Sequence, residues 1–193
     1  MSRGDHFVQK TLGIVVSGHT DPGHSVANKE IVANLEKLPE VTVDRLGVLY
    51  PDFNIDVPAE QAKLISADIV VLQYPVFWYS MPSLLHRWME DVFQHGFSHG
   101  ATGDKLRGKA LVASITTGAP AQMYGRDAAM GHAIEEYLAP LESTAKLTGM
   151  SWGGYVYTGN VSYQTRDDEA ALADMKVRAR DHAERLVKLL ETL

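Results

Sequence analysis

The chain has 193 residues, 45% of them hydrophobic, with 18 Lys+Arg against 24 Asp+Glu for a formal charge of −6, and it contains no cysteine. The length suits one domain, and the charge leaves no summed positive field to hold a nucleic-acid backbone or an anionic bilayer. Without cysteine there is no thiolate catalysis, disulfide framework or cysteine-ligated cluster, so any redox chemistry needs a bound cofactor.

Residues 1–10 read as a polar tail, because no apolar stretch follows Arg3 as a secretory signal requires. Apolar runs such as residues 69–72 fall far short of the ~20 residues that span a bilayer, which makes the cytoplasm the expected compartment. Residues 12–17 form a short β-branched run, followed by the polar stretch 18–25 and then a helical pattern through Val26, Ile31, Val32 and Leu35, with Ser25 placed to cap it. Residues 41–46 predict a second strand and the segment after Pro58 a short helix. Residues 67–74, unbroken and apolar, predict a central strand covered on both faces and stopped by Pro75. Pro82 opens a helix whose broad apolar face carries Leu84, Leu85, Trp88, Met89, Val92 and Phe93. Residues 109–116 give a fourth strand, 130–147 a helix, 152–158 a fifth strand, and a last helix starts near Asp168. Its Arg178, Arg180, Arg185 and Lys188, mixed with acids, read as a solvated face.

This alternation predicts an α/β, flavodoxin-like three-layer sandwich spanning 1–193 as one domain, with a five-stranded parallel sheet in the order 2-1-3-4-5. Ligands of such sheets lie beyond the carboxyl ends of the strands, which directs attention to the loops after Ser17, Tyr74, Ile115 and Tyr157. The first loop ends on a helix N-terminus, whose unpaired N–H groups suit a phosphate; His19, His24, Ser25 and Asn28 add donors. It has neither a GxGxxG nor a GK[ST] pattern. The second loop, residues 75–82, sets Phe77, Trp78 and Tyr79 in a row between prolines, a wall for a flat ring; large aromatics tend to be buried, so one of Phe77 and Trp78 is expected beneath the next helix. The third, residues 116–120, is Thr-Thr-Gly-Ala-Pro, where backbone can approach a ring edge. A phosphate at the first loop and a ring between the other two describe flavin mononucleotide. His95 and His99 have the i, i+4 spacing of a metal pair, but Gly96 and Gly100 interrupt the helix such a pair needs and no carboxylate completes a ligand set, so no metal is expected.

Residues 12–190 resemble the NAD(P)H:quinone oxidoreductases of flavodoxin-like fold, and within them the ancillary subunits of bacterial glutathione-gated potassium efflux antiporters. The resemblance is carried by Leu-Tyr-Pro-Asp-Phe-Asn-Ile-Asp at 49–56, by 59–61, by Gln73-Tyr74-Pro75 through Pro82, and by Leu84, Leu85, Trp88, Asp91, Val92 and Phe93. It implies that His19, Ser25, Val26, Ala27 and Asn28 bind the FMN phosphate and ribityl chain. Pro75, Val76, Phe77 and Trp78 would contact the isoalloxazine, and Thr116, Thr117, Gly118 and Ala119 its other edge. FAD is the alternative flavin. The family usually has a second Gly at Ala119, and a backbone needing positive φ there would be strained by a Cβ. The broader group implies catalytic roles for Tyr124 and, offset by about two positions, His132.

The implied reaction passes a hydride from NAD(P)H through the flavin to a quinone, with backbone N–H groups near 117–119 and 77–78 stabilising the reduced ring. The resemblance also implies a homodimer, to which Leu84, Trp88 and Phe93 are candidate contacts. A second reading makes the protein chiefly a regulatory subunit docked on a potassium efflux antiporter at the inner face of the cell membrane. A one-electron carrier is disfavoured by the aromatic loop.

Overall fold

The computed structural model describes residues 13–21, 23–165 and 167–193; the predicted polar tail at 1–10, and Leu12 at the head of the first predicted strand, lie outside them. Five strands alternate with helices: β1 (Gly13–Ser17), α1 (Ala27–Leu35), β2 (Val41–Arg45), α2 (Leu46–Leu49), α3 (Val57–Ser66), β3 (Ile69–Pro75), α4 (Ser83–Val92), β4 (Ala110–Thr116), α5 (Ala139–Thr148), β5 (Ser151–Thr158) and α6 (Glu169–Leu190). All pairings are parallel and the order is β2-β1-β3-β4-β5, the flavodoxin-like order the alternation predicts.

Period-two alternation divides the central strands between two cores. Ile14, Val16, Val70, Leu72, Leu111 and Ala113 face α3, α4 and α5, where Leu64, Leu85, Trp88 and Leu141 meet them. Val15, Val71 and Val112 face α1 and α6, against Ile31, Leu35, Ala179 and Leu186. Leu84 and Trp88 are wholly buried inside the subunit, so neither can contact a partner as the sequence suggested.

Some boundaries differ from expectation for local reasons. The helix expected over 130–147 is a 3-10 turn, Ile134–Leu138, followed by α5. Gly131 adopts φ of 71° and Pro140 lacks the N–H a helix interior needs, so the regular helix starts only around that proline. Val26, not Ser25, takes the cap position of α1, and no side chain caps it. Pro75 ends β3 as a paired residue opposite Thr116, and Pro82 precedes α4 as its cap residue. The arginines of α6 do more than face solvent. Arg178 donates to the carbonyls of Gly159 and Asn160, and Arg185 to Tyr157 O and Thr158 Oγ1, tying the helix to the end of β5. Among the described residues no helix is long and apolar enough to cross a membrane.

The motif at 49–61 proves to be an anchor. The wholly buried Glu60 accepts hydrogen bonds from Tyr50 Oη (2.5 Å), Trp88 Nε1 (2.9 Å) and Lys63 Nζ (2.5 Å), while Lys63 also reaches Asp44 (2.7 Å). Burial alone would raise the Glu60 pKa, but these donors hold it below the ordinary value. Asp44 moves the other way, because its burial outweighs Lys63.

Candidate functional site

A cleft of about 290 Å³ opens at the carboxyl ends of β1, β3 and β4, beside the start of α1. Its first wall is the loop leaving β1. Gly18 donates to Gln73 O at 2.9 Å, and a Cβ on Gly18 would lie 2.6 Å from that of Leu85, so this strand end accepts no side chain. Beyond it, Asp21 N–H donates to His19 Nδ1 (3.0 Å), and the Asp21 carboxylate accepts from His24 Nδ1 (2.6 Å). That bond holds Asp21 below the usual carboxylate pKa. The first α1 hydrogen bond runs from Glu30 N–H to Val26 O, so the N–H groups of residues 25–29 have no partner among the described residues and carry the positive end of the helix dipole.

Beneath this donor row lies a buried polar chain. Ser17 Oγ donates to Gln73 Oε1 (2.8 Å), Gln73 Nε2 to Asn28 Oδ1 (2.6 Å), and Thr116 Oγ1 to the same oxygen (3.1 Å). The chain joins β1, β3, β4 and α1, and by occupying Asn28 Oδ1 it leaves Nδ2 as the group Asn28 can offer to a ligand.

The second wall is a two-residue hairpin. Phe77 and Ser80 exchange backbone hydrogen bonds at 2.9 and 3.0 Å, and the central Trp78 and Tyr79 both take left-handed φ values, 49° and 64°. Asn-Gly is the usual occupant of such a turn; a residue with a Cβ costs about 1–2 kcal/mol at each left-handed position. The strain turns the aromatics outward. Phe77 lines the cleft, 5.8 Å and edge-on from His19, and is 42% exposed, while Trp78 is 94% exposed. Neither ring lies under α4 as expected, since that helix fills its own underside with Leu84, Leu85 and Trp88.

The third wall follows β4. Thr117 N–H is taken by Thr158 O (3.1 Å) and Phe77 N–H by Ser80 O, which removes both from the backbone donors expected near the ring. The N–H groups of Gly118, Ala119 and Trp78 remain without a partner among the described residues. Thr117 Oγ1 donates to Ala119 O (2.8 Å) and so accepts from Tyr157 Oη (2.8 Å); burial raises the Tyr157 pKa, keeping it a donor. Ala119 is not among the residues with positive φ, so its Cβ brings no strain.

Of the predicted site residues, His19, Ser25, Val26, Ala27, Asn28, Pro75, Val76, Phe77, Thr116 and Gly118 meet in this cleft. Trp78, Thr117 and Ala119 flank it without lining it. Tyr124 lines a second cavity, of about 420 Å³, with Tyr155, Tyr157 and Glu135. His132 is exposed, its Nδ1 3.4 Å from Glu136. His95 and His99 lie edge to face at 5.6 Å, flanked by Gly96 and Gly100 at positive φ. The sequence reading pointed to the loop after Tyr157 but to none of Val161, Ser162, Tyr163 and Met175, which close the cleft from the β5–α6 connection and α6. It also missed Gln73, although a lone amide inside the apolar run of β3 was a visible signal.

The order 2-1-3-4-5 with an anion-receptive cleft at the carboxyl ends of the strands defines a flavodoxin-like protein. The family model described as flavodoxin-like fold matches residues 9–183, and the chain belongs to that family. It is 42% identical over 139 residues to the glutathione-regulated potassium-efflux system ancillary protein KefF of Klebsiella aerogenes, covering 72% of this chain and 77% of that one. Among solved structures it is similar to general stress protein 14 of Treponema denticola in complex with FMN (TM-score 0.82, 29% identity, 91% of this chain and 98% of that one). It is also similar to an NADPH-quinone reductase from P. pentosaceus (TM-score 0.71, 26% identity, 86% and 96%).

Proposed function

We propose that the protein is an FMN-dependent NAD(P)H:quinone oxidoreductase. The observation that carries this reading is the row of N–H groups at residues 25–28, without partners among the described residues, opening onto the same cleft as Phe77 and Gly118: an anion site and a ring site joined in one groove. The donors fit a phosphate, and the apolar wall with unpaired N–H groups near it fits a polar-edged flat ring. The FMN complex of the Treponema protein and the name of the P. pentosaceus enzyme support the assignment.

Bound there, FMN would supply the hydride-accepting chemistry that carries two electrons from NAD(P)H to the quinone. Residues 25–28 hold the phosphate by backbone donors, with Ser25 Oγ and Asn28 Nδ2 beside them. Pro75, Val76 and Phe77 bound one side of the ring, and the N–H groups of Gly118, Ala119 and Trp78 are the donors left for its polar edge. Tyr124 is assigned to proton delivery toward the acceptor and His132 to a catalytic part in the hydride transfer, both from the resemblance. The homodimer and the cytoplasmic location belong to the same proposal, as does FAD as the alternative flavin.

A second reading is favoured by one observation: the 42% identical relative is named as an ancillary protein of a potassium efflux system. On it the chain binds an antiporter at the inner face of the membrane, and reductase activity is secondary. Visible absorption and mass analysis of the purified protein, followed by NAD(P)H oxidation with a quinone, test the first reading. A colourless protein that takes up neither FMN nor FAD refutes it. Ser25→Asp, which sets a carboxylate at the phosphate end, should abolish turnover; on the second reading it leaves co-purification with the antiporter intact.

A further inference from the structure

Tyr137 lies outside the cleft, in the 3-10 turn Ile134–Leu138, and none of the roles above uses it. Yet it touches both loops that flank the ring site. Its ring stacks on Tyr79 (5.4 Å, interplanar angle 25°) and stands edge-on to Tyr124 (6.1 Å, 86°). Its hydroxyl donates to Met130 O at 3.3 Å, and that of Tyr79 reaches Met130 Sδ at 3.5 Å, so the two tyrosines grip one residue of the loop that carries Tyr124. Tyr124 then meets Tyr157 edge-on (6.2 Å, 81°), and Tyr157 is bonded to Thr117 beside Gly118. The row Tyr79–Tyr137–Tyr124–Tyr157 therefore runs from the strained hairpin to the third wall.

A turn held at two left-handed positions relaxes unless something outside it fixes it. Tyr79 has Tyr137 as its aromatic partner beyond the hairpin, while Phe77 at the base of the hairpin meets His19 edge-on. We propose that Tyr137 is a positioning residue: it holds the Trp78–Tyr79 turn and the Tyr124 loop together as one aromatic wall, against which a flat acceptor of two fused rings stacks. This rests on the quinone-reductase reading. A wall several rings long adds apolar and stacking contact for a fused-ring acceptor that a single ring cannot reach.

The test uses Tyr137→Ala, with Tyr137→Phe as the conservative variant and Tyr79→Ala approaching the same stack from its exposed side. In the flavin-free protein, exchange of the Phe77 and Ser80 amides, which close the hairpin, should accelerate by about three- to tenfold in both alanine variants and stay unchanged in Tyr137→Phe, as loss of one aromatic stack implies. In the FMN-loaded protein, KM for 1,4-naphthoquinone should rise by about the same factor and KM for 1,4-benzoquinone by less. FMN affinity and KM for NAD(P)H should stay within about twofold, because contact with the acceptor is what is lost. Unchanged hairpin exchange, or a rise in KM that is equal for both quinones and NAD(P)H, overturns the proposal. If the wild-type protein takes up no flavin, the reductase reading falls together with the acceptor half of this one, while amide exchange still decides whether Tyr137 holds the hairpin.

Discussion

His182 offers a test that separates one buried network from the rest of the titrating surface. It is wholly buried on α6, with Nε2 2.8 Å from Ser114 Oγ and Nδ1 2.9 Å from Thr158 Oγ1. Arg185 donates to that same threonine oxygen (2.9 Å), so Thr158 turns its own proton toward Nδ1, and Nε2 carries the N–H that Ser114 accepts. Burial, with the nearby Arg185 charge, lowers the pKa of the ring to about 3 from an ordinary 6.5. The unfolded chain takes up this proton below pH 6.5 and the folded chain does not until about pH 3. Stability therefore falls with pH across that window, at about 1.4 kcal/mol per unit for one site. At pH 5 the loss is about 2 kcal/mol. His182→Gln keeps an amide donor and acceptor between the two hydroxyls but cannot titrate. Urea unfolding of both proteins from pH 7.5 to 5 should show the variant less stable by about 1–2 kcal/mol at the upper end, with the gap closing as the pH drops. All other groups are shared and cancel. Parallel stability curves would refute a neutral, proton-excluding His182.

Gln73→Leu should lower stability by about 2 kcal/mol, since Ser17 Oγ loses its acceptor while Asn28 Oδ1 keeps Thr116. In a chain of this size that corresponds to about 4–8 °C in Tm by calorimetry, with weaker FMN binding as Asn28 is released. Glu60→Gln should cost about 3–5 kcal/mol in urea unfolding, because it breaks a buried ion pair and turns an amide donor toward the Tyr50, Trp88 and Lys63 donors. Asp21→Asn, removing the carboxylate from the cleft rim, should tighten FMN binding two- to fivefold at low ionic strength, roughly the range of an exposed charge pair, and have no effect in 0.5 M salt.

The legible parts of the fold were those in which one residue type answers to one environment. The runs at 69–75 and 110–116 could only be covered strands, and the step from apolar run through polar loop to helix at 13–35 marked the anion-receptive end of the sheet. What escaped depends on partners distant in sequence. Nothing beside Glu60 in the sequence announces its burial; one of its donors, Trp88, lies 28 positions away. Thr117 looked like a ring contact until Thr158 and Tyr157, brought alongside by the β4–β5 pairing, took its N–H and hydroxyl. The outward throw of Trp78 was equally hidden, because it comes from a turn whose sequence lacks the Asn-Gly that normally announces it.

The net charge of −6 and the proposed anionic ligand are reconciled by where the charges are spent. Glu30, Glu36, Asp174 and Asp181 are each paired with an arginine, and Asp21, the acid on the cleft rim, is bonded to His24. No lysine or arginine lines the cleft among the described residues, so a phosphate bound there would be held chiefly by backbone N–H groups fixed by α1. Such donors do not titrate and carry no mobile side chain to order on binding. Their field falls off within the first helical turn, inside the ~8–10 Å over which salt screens at moderate ionic strength. Flavin affinity should therefore depend on the integrity of α1 and its floor, Gln73 and Asn28, more than on ionic strength, the reverse of what a lysine-lined phosphate site would do.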